Sequence, residues 1–278
     1  MLDGGGDILK RRQFLASTFA ASAVALTDRA HAAAAAPTPA SEGKPRQYYE
    51  LRKYQLRSGS ESRITAKYVA DALIPALNRM GIAPVGAFNL DLGPETPTLY
   101  LLLPSANLGT LANAELRLRE DEQFLEAAAP FWNAPESSPA FERLESTLLI
   151  ALPGWPQLVL PPPTAHKGQR IFQLRTYESA SNRDHLVKMK MFESGEFEVF
   201  QRSGFWPVFF GDALIGPRLP RVTYMVSFKD LEELNGLWKA FFSDPHWKKL
   251  TAMPEFNFEP TVSNVSNLVL TPAPYSQV

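Results

Sequence analysis

Two stretches far apart in this chain read alike. YYELRKYQLR begins at Tyr48 and IFQLRTYES begins at Ile171. At a fixed offset of 123 residues, Leu51, Arg52 and Tyr54 fall on Leu174, Arg175 and Tyr177. The same offset carries Arg79 and Gly81 onto Arg202 and Gly204, Pro84 and Val85 onto Pro207 and Val208, and Asp121 onto Asp244. Toward the end the offset reads as 120, setting ESTLLIA from Glu145 against VSNLVLT from Val265. A register held over so long a stretch marks a duplicated domain, and its period is too long for a solenoid of short repeats. The 278 residues suffice for two domains of ordinary size. A hydrophobic share of 45% with 21% charged residues suits chains that bury a core.

Each copy shows the same order of hydrophobic periodicities. In the first, strands are expected near 47–57, 82–90, 97–103 and 144–152, with helices near 61–80 and 107–128. Pro75 should kink the first of these helices. In the second, strands are expected near 169–178, 205–211, 220–228 and 262–271, with helices near 182–202 and 230–242. The order β-α-β-β-α-β is the ferredoxin-like unit. Its sheet carries helices on one face only, so the other face needs a cover. Two tandem units supply it by packing sheet to sheet. The expected fold is therefore α+β, an α/β barrel with helices outside and modules at 47–152 and 169–273. The proline-rich segment 153–168 links them.

The N-terminus reads as an address. KRRQFLA at 10–16 holds the pair Arg11–Arg12, then a polar residue, Phe14 and Leu15, in the order of a twin-arginine export signal. A weakly apolar stretch to Leu26 follows, too short for a membrane span, and Ala30 and Ala32 stand as an A-x-A cleavage signal. Residues 1–32 are thus expected to be a signal peptide and 33–46 a low-complexity tether, with a periplasmic or secreted product free of integral membrane association. The formal net charge is −1, and removing the leader leaves 24 basic and 26 acidic residues. No basic run lies outside the leader, which argues against a nucleic-acid partner. The absence of cysteine excludes disulfides, thiolate metal sites and cysteine nucleophiles.

The ordered set ELRKYQL, QLRTYES, PVFFGDALIGP at 207–217, LPRVTYMVSF at 219–228 and AFFSDPHWKKL at 240–250 resembles the NIPSNAP family of the dimeric α/β-barrel, ferredoxin-like superfamily. The resemblance spans about 47–273. It implies the fold and the tandem arrangement, but no family-wide catalytic residues and no reaction. The superfamily also contains small monooxygenases, some acting on haem, and pure binding proteins.

Strand alternation puts Glu50, Arg52 and Tyr54 on one face of the first strand, opposite Tyr49 and Leu51. Gln173, Arg175 and Tyr177 repeat this in the second copy, opposite Phe172 and Leu174. With the apolar faces under the helices, the polar faces would point into the barrel. There Arg52, Tyr54, Arg175 and Tyr177 would bind an anionic small molecule. Alternatively they tie the modules together, for instance through Glu50 and Arg175. His185, expected in the first turn of a helix beside Tyr177, is a candidate base or haem ligand, against a plain packing role. His246 is a weaker candidate, and His166 falls in the linker. Phe205, Trp206, Phe209 and Phe210 read mainly as core. No GxGxxG, Walker, G-x-S-x-G or H-E-x-x-H pattern occurs, and no histidine spacing suits a metal. Three functions remain open: binding a small molecule between the sheets, oxygenase-type chemistry with or without haem, and protein interaction. Cofactor, partner and oligomeric state, a homo-oligomer included, are left open by the sequence.

Overall fold

The computed structural model describes residues 45–256 and 261–278; the proposed leader and nearly all of the tether lie outside the described residues. Eight antiparallel strands close into a barrel: β1 (Tyr48–Gln55), β2 (Gly86–Leu90), β3 (Thr98–Ser105), β4 (Arg143–Ala151), β5 (Ile171–Glu178), β6 (Trp206–Ile215), β7 (Arg221–Phe228) and β8 (Asn264–Pro272). Around the barrel they run β1-β3-β2-β8-β5-β7-β6-β4. Each module therefore contributes a four-stranded sheet of the same order, β4-β1-β3-β2 and β8-β5-β7-β6. The sheets join at β2·β8 and β4·β6. At the second seam a Cβ on Gly211 would stand 2.9 Å from that of Leu149, so this close approach requires glycine.

The helices follow the duplication as closely as the strands. In the first module α1 (Ser60–Tyr68) and α2 (Ile74–Arg79) are joined by a π-helical turn, Val69–Leu73. In the second, α6 (Asn182–Met191) and α7 (Phe197–Arg202) are joined by another, Phe192–Glu196, at the same offset of 123. The causes differ. Pro75 cannot donate to the carbonyl one turn back, whereas Gly195 takes a φ of +132°. The ion pair Arg79–Asp121 (2.5 Å) recurs as Arg202–Asp244 (3.2 Å).

The stretch expected as one helix over 107–128 is three: α3 (Leu108–Ala112), α4 (Ala114–Leu118) and α5 (Glu122–Trp132). Asp121 restarts the helix by accepting the N–H of Phe124 at 3.0 Å. The second module has α8 (Leu231–Ser243), and then α9 (Pro245–Thr251), capped by Asp244. The last strands also correct the sequence alignment. Lys53 pairs with Glu145, and Thr176, its counterpart, pairs with Ser266, an offset of 121 rather than 120. A slip of one residue turns every side chain of a strand to the other face.

Three apolar layers result. The barrel lumen holds Tyr49, Leu51, Phe88, Phe172, Leu174, Phe209, Met225 and Leu270 from both modules. Tyr54, Leu99 and Leu101 pack under the first module's helices, and Tyr177, Phe210 and Tyr224 under the second's. One end of the lumen is closed by the chain's own connections. Leu158 of the linker joins the lumen cluster and donates its N–H to Gln47 Oε1 at 2.8 Å. Trp155 is buried against Phe197 and Phe210. Val278 also lies in the lumen cluster, its carbonyl accepting from Arg170 Nη2 at 2.8 Å.

Candidate functional site

The alternation of β1 and β5 is as expected, but the faces are exchanged. Tyr49, Leu51, Phe172 and Leu174 point into the lumen. Tyr54 and Tyr177 belong to the layers beneath the helices, and their arginines share that side. The four predicted ligand-binding residues are thus not brought together. Arg52 is 3% exposed and fully engaged. Its Nε and Nη2 donate to Glu50 at 2.6 and 3.0 Å, and its Nη1 donates to Glu115 Oε1 at 2.6 Å. The pairing considered between Glu50 and Arg175 is replaced by this ion triad within the first module. Arg175 instead donates from Nε and Nη2 to Tyr177 Oη at 3.2 and 2.9 Å. Tyr177 in turn shares a 2.8 Å hydrogen bond with Tyr224. Burial pushes the Tyr54 phenol up and the Tyr224 phenol well up.

His185 does stand in the first turn of α6, but on the outer side of the barrel wall. Its Nε2 donates to Asp212 Oδ1 at 2.7 Å, and its Nδ1 is buried without a partner. Asp212 shares the helix side of β6 with Phe210, while Gly211 between them faces Leu149 across the seam. The neighbouring layer is filled by Phe192, Phe197, Phe200 and Phe210, with ring centroids about 5 Å apart. With Nε2 engaged by Asp212 and the adjoining layer filled by these rings, His185 does not fit a haem ligand. His246 is largely exposed, 3.5 Å from Asp244.

A cavity lies at the other end of the lumen, where β1 and β5 finish and β3 and β7 begin. It measures about 120 Å³. Its floor is apolar, from Leu51, Tyr100, Leu174 and Leu268, and its wall carries Thr147, Thr176 and Thr223. Three cations ring it: Lys53, Arg218 and Arg221. Two are matched. Lys53 binds Glu95 and lies 3.9 Å from Glu145, and Arg218 lies 3.6 Å from Glu178.

Arg221 is different. Its Nη2 donates to Thr147 Oγ1 at 2.7 Å, across the seam between modules. Its Nε is buried with no acceptor, and among the described residues no carboxylate stands within 4.0 Å of it. Burial, and then the charge of Arg218, push its pKa down from the ordinary arginine value, against the smaller opposing pull of Glu178 and Glu145. A guanidinium keeps its proton and its five donors, so this one suits an anion.

Sequence reasoning passed over Arg221 and Lys53. Lys53 shares a face with Leu51, and following the alternation one step further along that face would have found it. The importance of Arg221 rests on Thr147 from the other module, a contact that exists only once the barrel closes.

The NIPSNAP family model matches the chain twice, at residues 49–154 and 172–277. No curated protein matches the sequence. Among solved structures the chain is similar to a candidate monooxygenase from Fusobacterium nucleatum, with 10% identity and a TM-score of 0.53 over 82% of this chain and 92% of that one. It is similar to a candidate monooxygenase from Lactobacillus acidophilus, with 11% identity and a TM-score of 0.52 over 82% and 94%. A NIPSNAP-like domain protein from Burkholderia xenovorans is 19% identical, with a TM-score of 0.35 over 39% of this chain and 89% of that one. At such identities the solved structures speak to the fold. The two family matches cover most of the chain, which belongs to the NIPSNAP family and carries its domain in tandem.

Proposed function

We propose that this protein is exported and binds a small anion at the barrel mouth. The observation that carries the binding reading is Arg221, a cation at a cavity wall with a buried, acceptorless Nε and no ion-pair partner among the described residues. The size of the cavity limits the ligand. At about 120 Å³ it falls below the roughly 300–1,000 Å³ of drug-sized pockets. The apolar floor and threonine wall suit a carboxylate on a short carbon chain. Its tail would rest on Leu51 and Leu268, and its oxygens would meet Arg221 and the hydroxyls. The monooxygenase descriptions belong to fold relatives, and the carboxylate that lines the mouth, Glu145, faces Lys53 at 3.9 Å. Binding is therefore the stronger reading.

Thermal unfolding with small carboxylates and phosphate tests it. An anion at one hundred times its Kd should add about 2.7 kcal/mol, a rise of roughly 5–11 °C for a domain of this size. Arg221→Met should abolish that rise, whereas Arg57→Met, at an exposed arginine outside the mouth, should keep it. The binding reading fails if no anion stabilises the native protein, or if Arg221→Met responds as the native protein does.

Export has its own test. Replacing Arg11 and Arg12 together by lysine should leave uncleaved precursor in the cytoplasm, and mass spectrometry of the exported form should find an N-terminus near Ala33. Unchanged export of the double-lysine variant in a strain lacking the twin-arginine translocase would remove the export reading and leave the barrel-mouth reading untouched.

A further inference from the structure

The duplication makes each module a control for the other. At the offset of 123, the two carboxylates that close on Arg52 have changed identity: Glu50 corresponds to Gln173, and Glu115 to Trp238. The correspondence is structural as well. Glu115 lies on α4 between Leu111 and Leu118, and Trp238 lies on α8 between their counterparts Leu234 and Phe241. All four of these apolar residues are buried. Where Glu115 meets the guanidinium of Arg52 with an oxygen, Trp238 meets that of Arg175 with its ring, 4.3 Å from centroid to Cζ. Its indole N–H donates to Gln173 Oε1 at 2.7 Å.

Arg175 has thus lost both counter-charges and kept its place. Among the described residues it has no carboxylate within 4.0 Å, and its Nε and Nη2 donate to the phenol oxygen of Tyr177, with Tyr224 beside it. Among the described residues Nη1, the atom that Glu115 serves on Arg52, meets no acceptor, and it is not sealed from solvent. Arg175 itself is only half-buried, whereas Arg52 is 3% exposed. The nearby pair Lys188–Glu196 is internally neutral, its charges 2.6 Å apart, and Glu196 is held there by Lys188. On the solvent side Trp238 stacks with Phe242, centroids 5.5 Å apart and planes at 25°, and Phe242 is 54% exposed. A preorganised guanidinium with one solvent-facing edge, beside an exposed aromatic shelf, is what a planar carboxylate with an apolar body would meet.

We propose that the second module holds a carboxylate-binding site at Arg175, with the ligand's carboxylate on Nη1 where the first module has Glu115 and its apolar body on Trp238 and Phe242. The site is distinct from the barrel mouth, which lies on the other face of the sheet. The ligand is a carboxylate rather than a bulkier oxyanion because a carboxylate occupies the matching position in the first module. The shelf favours an aromatic acid.

The test follows one indole resonance. Five tryptophans give five indole N–H signals, and that of Trp238 is identified by its loss in Trp238→Phe. Benzoate and acetate are titrated against chloride at equal ionic strength. The Trp238 signal should move saturably, more tightly with benzoate than with acetate, and should stay still in chloride. Gln173→Glu restores the carboxylate of the first module without loss of shape, and its oxygen still accepts the indole N–H. That variant should fold, melt at least as high as the native protein, and bind benzoate about tenfold or more weakly, since a hydrogen bond to a charged group is worth about 1.5–3 kcal/mol. Arg221→Met should leave the Trp238 shift intact. The proposal is overturned if chloride moves the signal as benzoate does, if Gln173→Glu binds as tightly as the native protein, or if Arg221→Met abolishes the shift. Only the last of these would credit the mouth with the effect.

Discussion

Replacing Lys188 by methionine should destabilise the fold by about 3–5 kcal/mol, the cost of leaving one member of a buried ion pair alone. Lys188 and Glu196 are 1% and 2% exposed, and Nζ stands 2.6 Å from Oε2. The ammonium also lies 4.2 Å from the Phe192 ring centroid and 5.2 Å from that of Tyr177, so its attraction is not confined to the carboxylate. Burial pushes the Glu196 carboxyl up despite Lys188. A carboxyl whose folded pKa is raised contributes most below its unfolded value of about 4.3, and loses that contribution as pH climbs to the folded value. Without Lys188 the folded value rises further, so the deficit of the variant should be small in acid and full at neutral pH. The first module offers the remedy, for it carries Thr65 and Leu73 at the matching positions. Lys188→Thr with Glu196→Leu should regain most of the loss, because buried pairs exchanged for apolar groups are often neutral or better. Urea unfolding at two pH values measures all three proteins. A single-variant loss under about 1 kcal/mol at neutral pH would mean that the pair is hydrated and the layer open.

Phe210→Ala should cost about 3–5 kcal/mol, through lost transfer energy and the cavity left behind. Phe210 is fully buried and is the ring on which the second module's helix layer converges. It stacks on Tyr224 at 5.0 Å and 19°, and meets Phe197, Phe192, Phe200 and Trp155 edge-on at 4.9 to 5.8 Å. Trp155 belongs to the linker, so the substitution should also loosen the segment that closes the lumen. The expected result is a fall of about 6–20 °C in Tm, with Trp155 fluorescence changing before the global transition. Phe210→Leu should cost less, since it leaves a smaller void. Equal losses from alanine and leucine would point to specific ring geometry rather than volume.

Most of the architecture was legible because duplication and strand alternation are written in residue types. The matched LR-x-Y motifs found β1 and β5, and the offset of 123 carried through to the paired π-helical turns and the paired Arg–Asp bridges. The inversion of the faces has a physical cause. In a closed barrel both sides of a strand are buried, so alternation alone does not say which is the lumen. The lumen takes the mainly apolar set, Tyr49, Leu51, Phe172 and Leu174. The arginines lie under helices able to supply Glu115 or Trp238. The mouth was hidden for another reason: Arg221, Thr147 and Lys53 are ordinary strand residues until the closing of two seams sets them around one cavity.

The linker that closes the lumen has a further consequence. Were the two sheets on separate chains, the barrel would form by a second-order encounter and would come apart on dilution. Held on one chain through residues 152–170, the modules meet at an effective concentration that short tethers set near the millimolar range, whatever the concentration of the protein itself. The barrel therefore closes within one chain at any dilution. Because both halves lie on one chain, each carries its own residue at the matched position, Glu115 on one side and Trp238 on the other.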